Sequence, residues 1–162
     1  MQALGRATRG PATVYLTGGA TAVLHGWRAT TLDVDLKVMP DREDVLRSIQ
    51  GLKEKLSINV ELAAPDQFLP PLPGWQERSE FIAKEGALEF RHYDYYAQVL
   101  AKLERGHRQD IEDVRRMREA GKVQPARLWQ LYEAIEPELY RYPAVDPASL
   151  RRTVEAFVGA TA

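Results

Sequence analysis

The chain has 162 residues, 44% of them hydrophobic, enough for one compact domain to bury a core without staples. With 22 basic against 23 acidic residues the net charge is −1, so no overall field points to a nucleic-acid or membrane surface. Cysteine is absent, which excludes disulfide frameworks, thiolate nucleophiles and zinc–thiolate sites and fits a reducing, cytoplasmic setting.

Residues 1–11, polar with Gly5, Gly10 and Pro11, read as a loosely ordered lead-in, without the basic–apolar–small order of a signal peptide. No apolar run approaches the roughly 20 residues of a membrane span, so no membrane association is expected. The β-rich run Thr13–Thr17 stops at Gly18-Gly19, and Ala20–His25 follows as a short helix ending at Gly26. Leu32–Val38 alternates apolar residues with Asp33, Asp35 and Lys37, which makes a strand with one charged face, closed by Pro40. Helical spacing of Val45, Leu46, Ile49, Leu52 and Leu56 predicts a crossover helix over 41–56, with Asp41 as its N-cap.

A third strand is expected over 57–62, with Asn59 and Glu61 opposite Ile58, Val60 and Leu62. The order so far is β-α-β-α-β. Four prolines and Gly74 within 63–76 exclude helix there and predict an ordered loop anchored by Phe68, Leu69 and Trp75. Two strands flanking Glu85-Gly86 form a hairpin. Beyond Tyr93 the pattern is helical: 95–105, 108–120, 125–135 and 147–157, with 137–147 as an interior linker. The expectation is one α+β domain, a mixed sheet core over 12–92 with a helical C-terminal subdomain over 93–162.

Asp33 and Asp35, at i and i+2 on a strand, share a face about 7 Å apart, where their oxygens can converge on a hard cation. An ordinary polar strand face carries the same spacing. Gly18-Gly19, between strand and helix, lets backbone N–H groups approach a phosphate with no side chain intervening. Arg28 follows closely and can grip phosphate bidentately. His25, His92 and His107 have no spacing that suits a zinc or catalytic cluster.

Residues 17–36, TGGATAVLHGWRATTLDVDL, resemble the glycine turn and D-x-D signature of the DNA-polymerase-β-like nucleotidyltransferase superfamily. Lys102-Leu103-Glu104-Arg105 with Arg108, Asp110 and Asp113 is similar to the helical pattern of small bacterial AbiEii/MenT-type nucleotidyltransferase toxins. The two blocks cover 13–38 and 95–117. The resemblance implies a nucleotidyltransferase-like mixed sheet flanked by helices, two Mg²⁺ ions (Mn²⁺ as substitute), and transfer of a nucleoside monophosphate from a nucleoside triphosphate to a hydroxyl of RNA or protein. It also implies a toxin with an antitoxin partner.

Carried onto this chain, Gly18 and Gly19 would hold the triphosphate, and Asp33 and Asp35 would ligate metal. Glu61 supplies the third carboxylate as ligand or base, with Asp66 as the runner-up. Lys102 would sit over the leaving pyrophosphate and bind nucleotide, or else belong to a solvated helix face beside Glu104 and Arg108. Asp110 and Asp113 read as structural ion pairs near Arg115 and Arg116. Gly-Gly stands where many relatives have Gly-Ser. Two other readings stay open: a small-molecule, antibiotic-type nucleotidyltransferase, and a non-catalytic nucleotide-binding or protein-interaction module.

Overall fold

A computed structural model describes residues 1–160. The chain divides into two compact units, one of residues 1–64 and 79–93 and one of 65–78 and the described residues from 94 onward. The first holds a five-stranded sheet in the order β3-β2-β1-β5-β4, from β1 (Ala12–Thr17), β2 (Asp33–Met39), β3 (Asn59–Glu61), β4 (Glu80–Glu85) and β5 (Leu88–His92). It is mixed: β1 pairs antiparallel with β2 and parallel with β5, β2 pairs parallel with β3, and β4 and β5 form the antiparallel hairpin. The architecture is therefore α+β, as the order of patterns predicts.

Alternation decides the faces. Val14 and Leu16 of β1, Leu36 and Val38 of β2, and Leu88 and Phe90 of β5 bury together with Val45 and Ile49 of α3 (Glu43–Leu56). Each such aliphatic contributes about 1.5–3 kcal/mol over an exposed one. Helix α3 is a true crossover, since it joins parallel neighbours β2 and β3. Its cap lies one residue later than expected: Arg42, not Asp41, occupies the N-cap and pairs with Asp44 of the first turn at 3.0 Å. Leu56 is exposed, because α3 turns off at Ser57, whose left-handed φ of 51° lets Ile58 N donate to Lys53 O.

Two further expectations change. Residues 2–7 form a helix, α1 (Gln2–Ala7), with Leu4 in the core. Gly5 weakens the helical signal, yet it is needed, because a Cβ there would lie 2.5 Å from Glu85 O. The first β-α-β step is antiparallel, since α2 (Gly18–Leu24) returns the chain against β1. Leu32 lies 93% exposed ahead of β2, because strand pairing begins only at Asp33 with Asn59.

The second unit is helical: α4 (Trp75–Arg78), α5 (Tyr95–Arg105), α6 (Arg108–Glu119), α7 (Pro125–Ile135) and α8 (Pro147–Gly159). The proline-rich stretch has a 3₁₀ turn at Pro65–Gln67 and α4 beginning at Trp75, rather than loop throughout. It belongs here because the 3₁₀ turn packs on α5 and Arg78 pairs with the α5 cap Asp94 at 2.6 Å. The first part of the expected linker is a 3₁₀ segment, Glu136–Arg141, seated by buried Leu139, while Tyr140 is exposed. Among the described residues no helix is long and apolar enough to cross a membrane.

Candidate functional site

The face of the sheet opposite the apolar layer carries a patch of oxygen-bearing side chains. Because Val34 and Val60 turn to the core, Asp33, Asp35, Asn59 and Glu61 turn the other way. Register sets them in rows: Thr17 faces Asp35, Asp35 faces Glu61, and Asp33 faces Asn59. Asn59 is the hinge of this patch, since its amide donates both to Asp33 Oδ1 and, at 3.0 Å, to Glu61 Oε1. Among the described residues no three His, Asp or Glu side chains gather closely enough to enclose a metal ion as they stand. The amide holds Asp33 and Glu61 instead.

The glycine turn closes on the same patch. Gly18 has φ of 61°, a left-handed conformation that a side chain disfavours. A Cβ there would also fall 2.9 Å from Asp35 Oδ2, so the Asp35 carboxylate lies directly against the bare backbone of the turn. At Gly19 a Cβ would meet Thr31 Oγ1 at 2.1 Å and Arg28 Nη1 at 3.3 Å. The segment after α2 thus folds back, with the Thr31 hydroxyl donating to Asp33 O at 2.9 Å and the Arg28 guanidinium reaching the turn. Gly18, Gly19, Arg28 and Asp35 come together, and Asn59 ties in Asp33 and Glu61.

The remaining expected site residues lie in the helical unit. Lys102 is buried, donating to Asp113 Oδ2 at 2.6 Å and to Asp110 Oδ1 at 3.4 Å. A solvated face beside Glu104 and Arg108 is therefore not its setting. Asp110 also receives both Nε (2.7 Å) and Nη2 of Arg105, so the structural partners of these aspartates are Lys102 and Arg105 rather than Arg115 and Arg116. Burial pushes the Asp110 carboxyl up, but the Arg105 hydrogen bond and the charges of Lys102 and Arg105 outweigh it and leave it below the usual aspartate range. Arg115 instead spans Glu112 and Glu119 on the exposed side of α6. Asp66 sits in the 3₁₀ turn, its carbonyl accepting from Tyr142 at 3.4 Å.

Thr17, Thr31 and Asn59 are the members of the patch that residue patterns alone did not single out. The period of two places Asn59 beside Glu61, and Thr17 directly precedes the glycines, so both signals were present. Only register shows that Thr17 faces Asp35 and Asn59 faces Asp33. Tyr93 and Tyr95 are buried in packing, and Tyr96 accepts from Gln124 N at 3.1 Å.

The model of a family described as "Nucleotidyltransferase of unknown function (DUF6036)" matches residues 2–148, about nine-tenths of the chain. Comparison with curated proteins and with solved structures returned no match.

Proposed function

The chain belongs to this nucleotidyltransferase family, and from that premise we propose that it moves a nucleoside monophosphate from a nucleoside triphosphate to a hydroxyl of RNA or protein. One observation carries the reading: the Asp35 carboxylate lies against Gly18, in register with Glu61, while Arg28 reaches Gly19. That arrangement sets an anion-binding backbone and a guanidinium beside hard oxygen donors.

Asp33 and Asp35 would hold Mg²⁺, or Mn²⁺ in its place, with Glu61 as third ligand once it leaves the Asn59 amide. The donor set fits, because magnesium is commonly held by one or two carboxylates with substrate phosphates completing its shell. Bound there, the ion supplies positive charge to the phosphates. The acceptor oxygen forms a bond to the α-phosphorus, the bond from that phosphorus to the bridging oxygen of the β-phosphate breaks, and pyrophosphate leaves. Glu61, exposed on edge strand β3, is the side chain suited to take the hydroxyl proton where it does not ligate. Arg28 and the amides of the glycine turn orient the triphosphate. Lys102 has no step here, since its ammonium is already committed to Asp110 and Asp113.

The test incubates purified protein with each labelled nucleoside triphosphate, Mg²⁺ or Mn²⁺, and separate pools of RNA and cell protein, beside an Asp33→Ala/Asp35→Ala control. Label transferred by the wild type alone supports the reading and identifies the acceptor class. Transfer retained by the double variant overturns the site. The proposal extends to a toxin restrained by an antitoxin, and growth arrest on induction that survives Asp35→Ala would remove that extension.

A further inference from the structure

Beside the glycine turn the chain builds a stack of three rings that the chemistry above leaves unused. His25 is the middle ring, 4.4 Å between centroids from Trp27 at 15° and 4.5 Å from His92 at 22°. Two near-parallel partners at stacking distance must occupy opposite faces of His25, so Trp27 and His92 are the two ends. The inner end is anchored: His92 is 5% exposed, and its Nδ1 lies 3.1 Å from the Thr21 hydroxyl, which in turn reaches Leu16 O at 3.2 Å. His25 and Trp27 are only half-buried. The stack therefore runs from the core outward and finishes on an indole.

The position of that indole is set by the same fold-back that brings Arg28 to the turn. Trp27 N donates to Ala22 O at 2.9 Å, and its chain neighbour Arg28 extends to Gly19. Helix α2 between them has seven residues, about 10 Å at 1.5 Å per residue. One dipeptide thus carries a cation at the phosphate-binding end and a flat ring within a nucleotide's length of it. Backing by His25 and His92 holds the ring in place, so little side-chain freedom remains to be lost when a ligand stacks on it.

We propose that Trp27 is the stacking platform for the base of the donor nucleoside triphosphate, which rests on the nucleotidyltransferase reading above and names the part of that substrate its polar groups leave unheld. Aromatic stacking holds every base through its π-face, so this platform gives affinity across bases.

The test measures equilibrium binding of the four nucleoside triphosphates and of inorganic tripolyphosphate, with Mg²⁺ and no acceptor, to wild type, Trp27→Ala and Trp27→Phe. The expected result is a loss of about tenfold or more in nucleotide affinity for Trp27→Ala, with tripolyphosphate affinity unchanged and Trp27→Phe recovering most of the loss. Equal weakening toward nucleotides and tripolyphosphate would show a purely structural ring and overturn the proposal, as would unchanged nucleotide binding. A wild type that binds neither ligand overturns the nucleotidyltransferase reading itself, whereas one that binds nucleotides as well as its Trp27→Ala variant does overturns only the platform.

Discussion

Two charged groupings look alike as sequence and behave oppositely in the fold. In the sheet unit, Asp33 and Glu61 share the amide of Asn59 on a partly exposed strand face. In the helical unit, Asp110 and Asp113 are buried and take their hydrogen bonds from the cations Lys102 and Arg105. A buried carboxylate must find a cation nearby or give up its charge, whereas one on a half-exposed edge can hold ionised oxygens toward solvent and a ligand. Internal satisfaction marks the second grouping as structural, and the proposed chemistry therefore rests on the first, whose acceptor-rich oxygens lie beside a bare glycine turn.

The largest expected effect tests that contrast directly. Asp113→Ala leaves the Lys102 ammonium with only the longer contact to Asp110 and should cost about 3–5 kcal/mol of stability, read as a lowered urea midpoint. Stability within about 1 kcal/mol of wild type would mean that the cluster is wetter than its burial implies. Next, Asp35→Asn should lower nucleotidyl transfer about 10²–10³-fold, the scale of removing one preorganised charge-stabilising group, while the thermal midpoint stays near that of wild type. A large fall in midpoint with activity intact would reverse the assignments of the two groupings.

Acid sharpens the comparison further. Asp110, with its carboxyl lowered below the usual range, contributes stability at pH above that range, and this contribution is lost as pH falls through its lowered folded value. Unfolding followed from about pH 7 down to pH 3 should therefore be steeper for wild type than for Asp110→Asn at the acid end. Asp94 has the opposite sign, because burial pushes its carboxyl up beyond the pull of Arg78. Its contribution favours the fold below the usual aspartate value and fades as pH rises through the raised one. The smallest effect belongs to Asn59→Ala, an exposed substitution that should change stability by no more than about 0.5 kcal/mol. A larger loss in a urea melt would show that the amide bridge holds the sheet edge as well as the carboxylates.

Much of this was legible from residue order because local rules carried it. The strand signals at 13–17 and 80–92, and the helices at 95–105 and 125–135, follow from strong periodicity with Pro or Gly at their borders, and the structure places elements there. Weak or contradictory local signals misled where packing overrode them. Gly5 disguised α1, whose existence depends on Leu4 entering the core and on the approach of Glu85. Leu32 read as a core position because alternation alone cannot say where a ladder begins.

The sequence by itself determined the α+β order, the glycine turn and the D-x-D carboxylates, since each depends on neighbours within a few residues. It could not determine which strands pair, that Asn59 faces Asp33, that Lys102 is spent on two buried aspartates, or that Trp27 ends a stack beginning at His92. Those relations join residues up to 76 positions apart in the chain, as Ala12 and Leu88 are. They exist only once the backbone has brought the partners within reach, and they are enforced by register and by the cost of burying a charge or a hydroxyl without a partner.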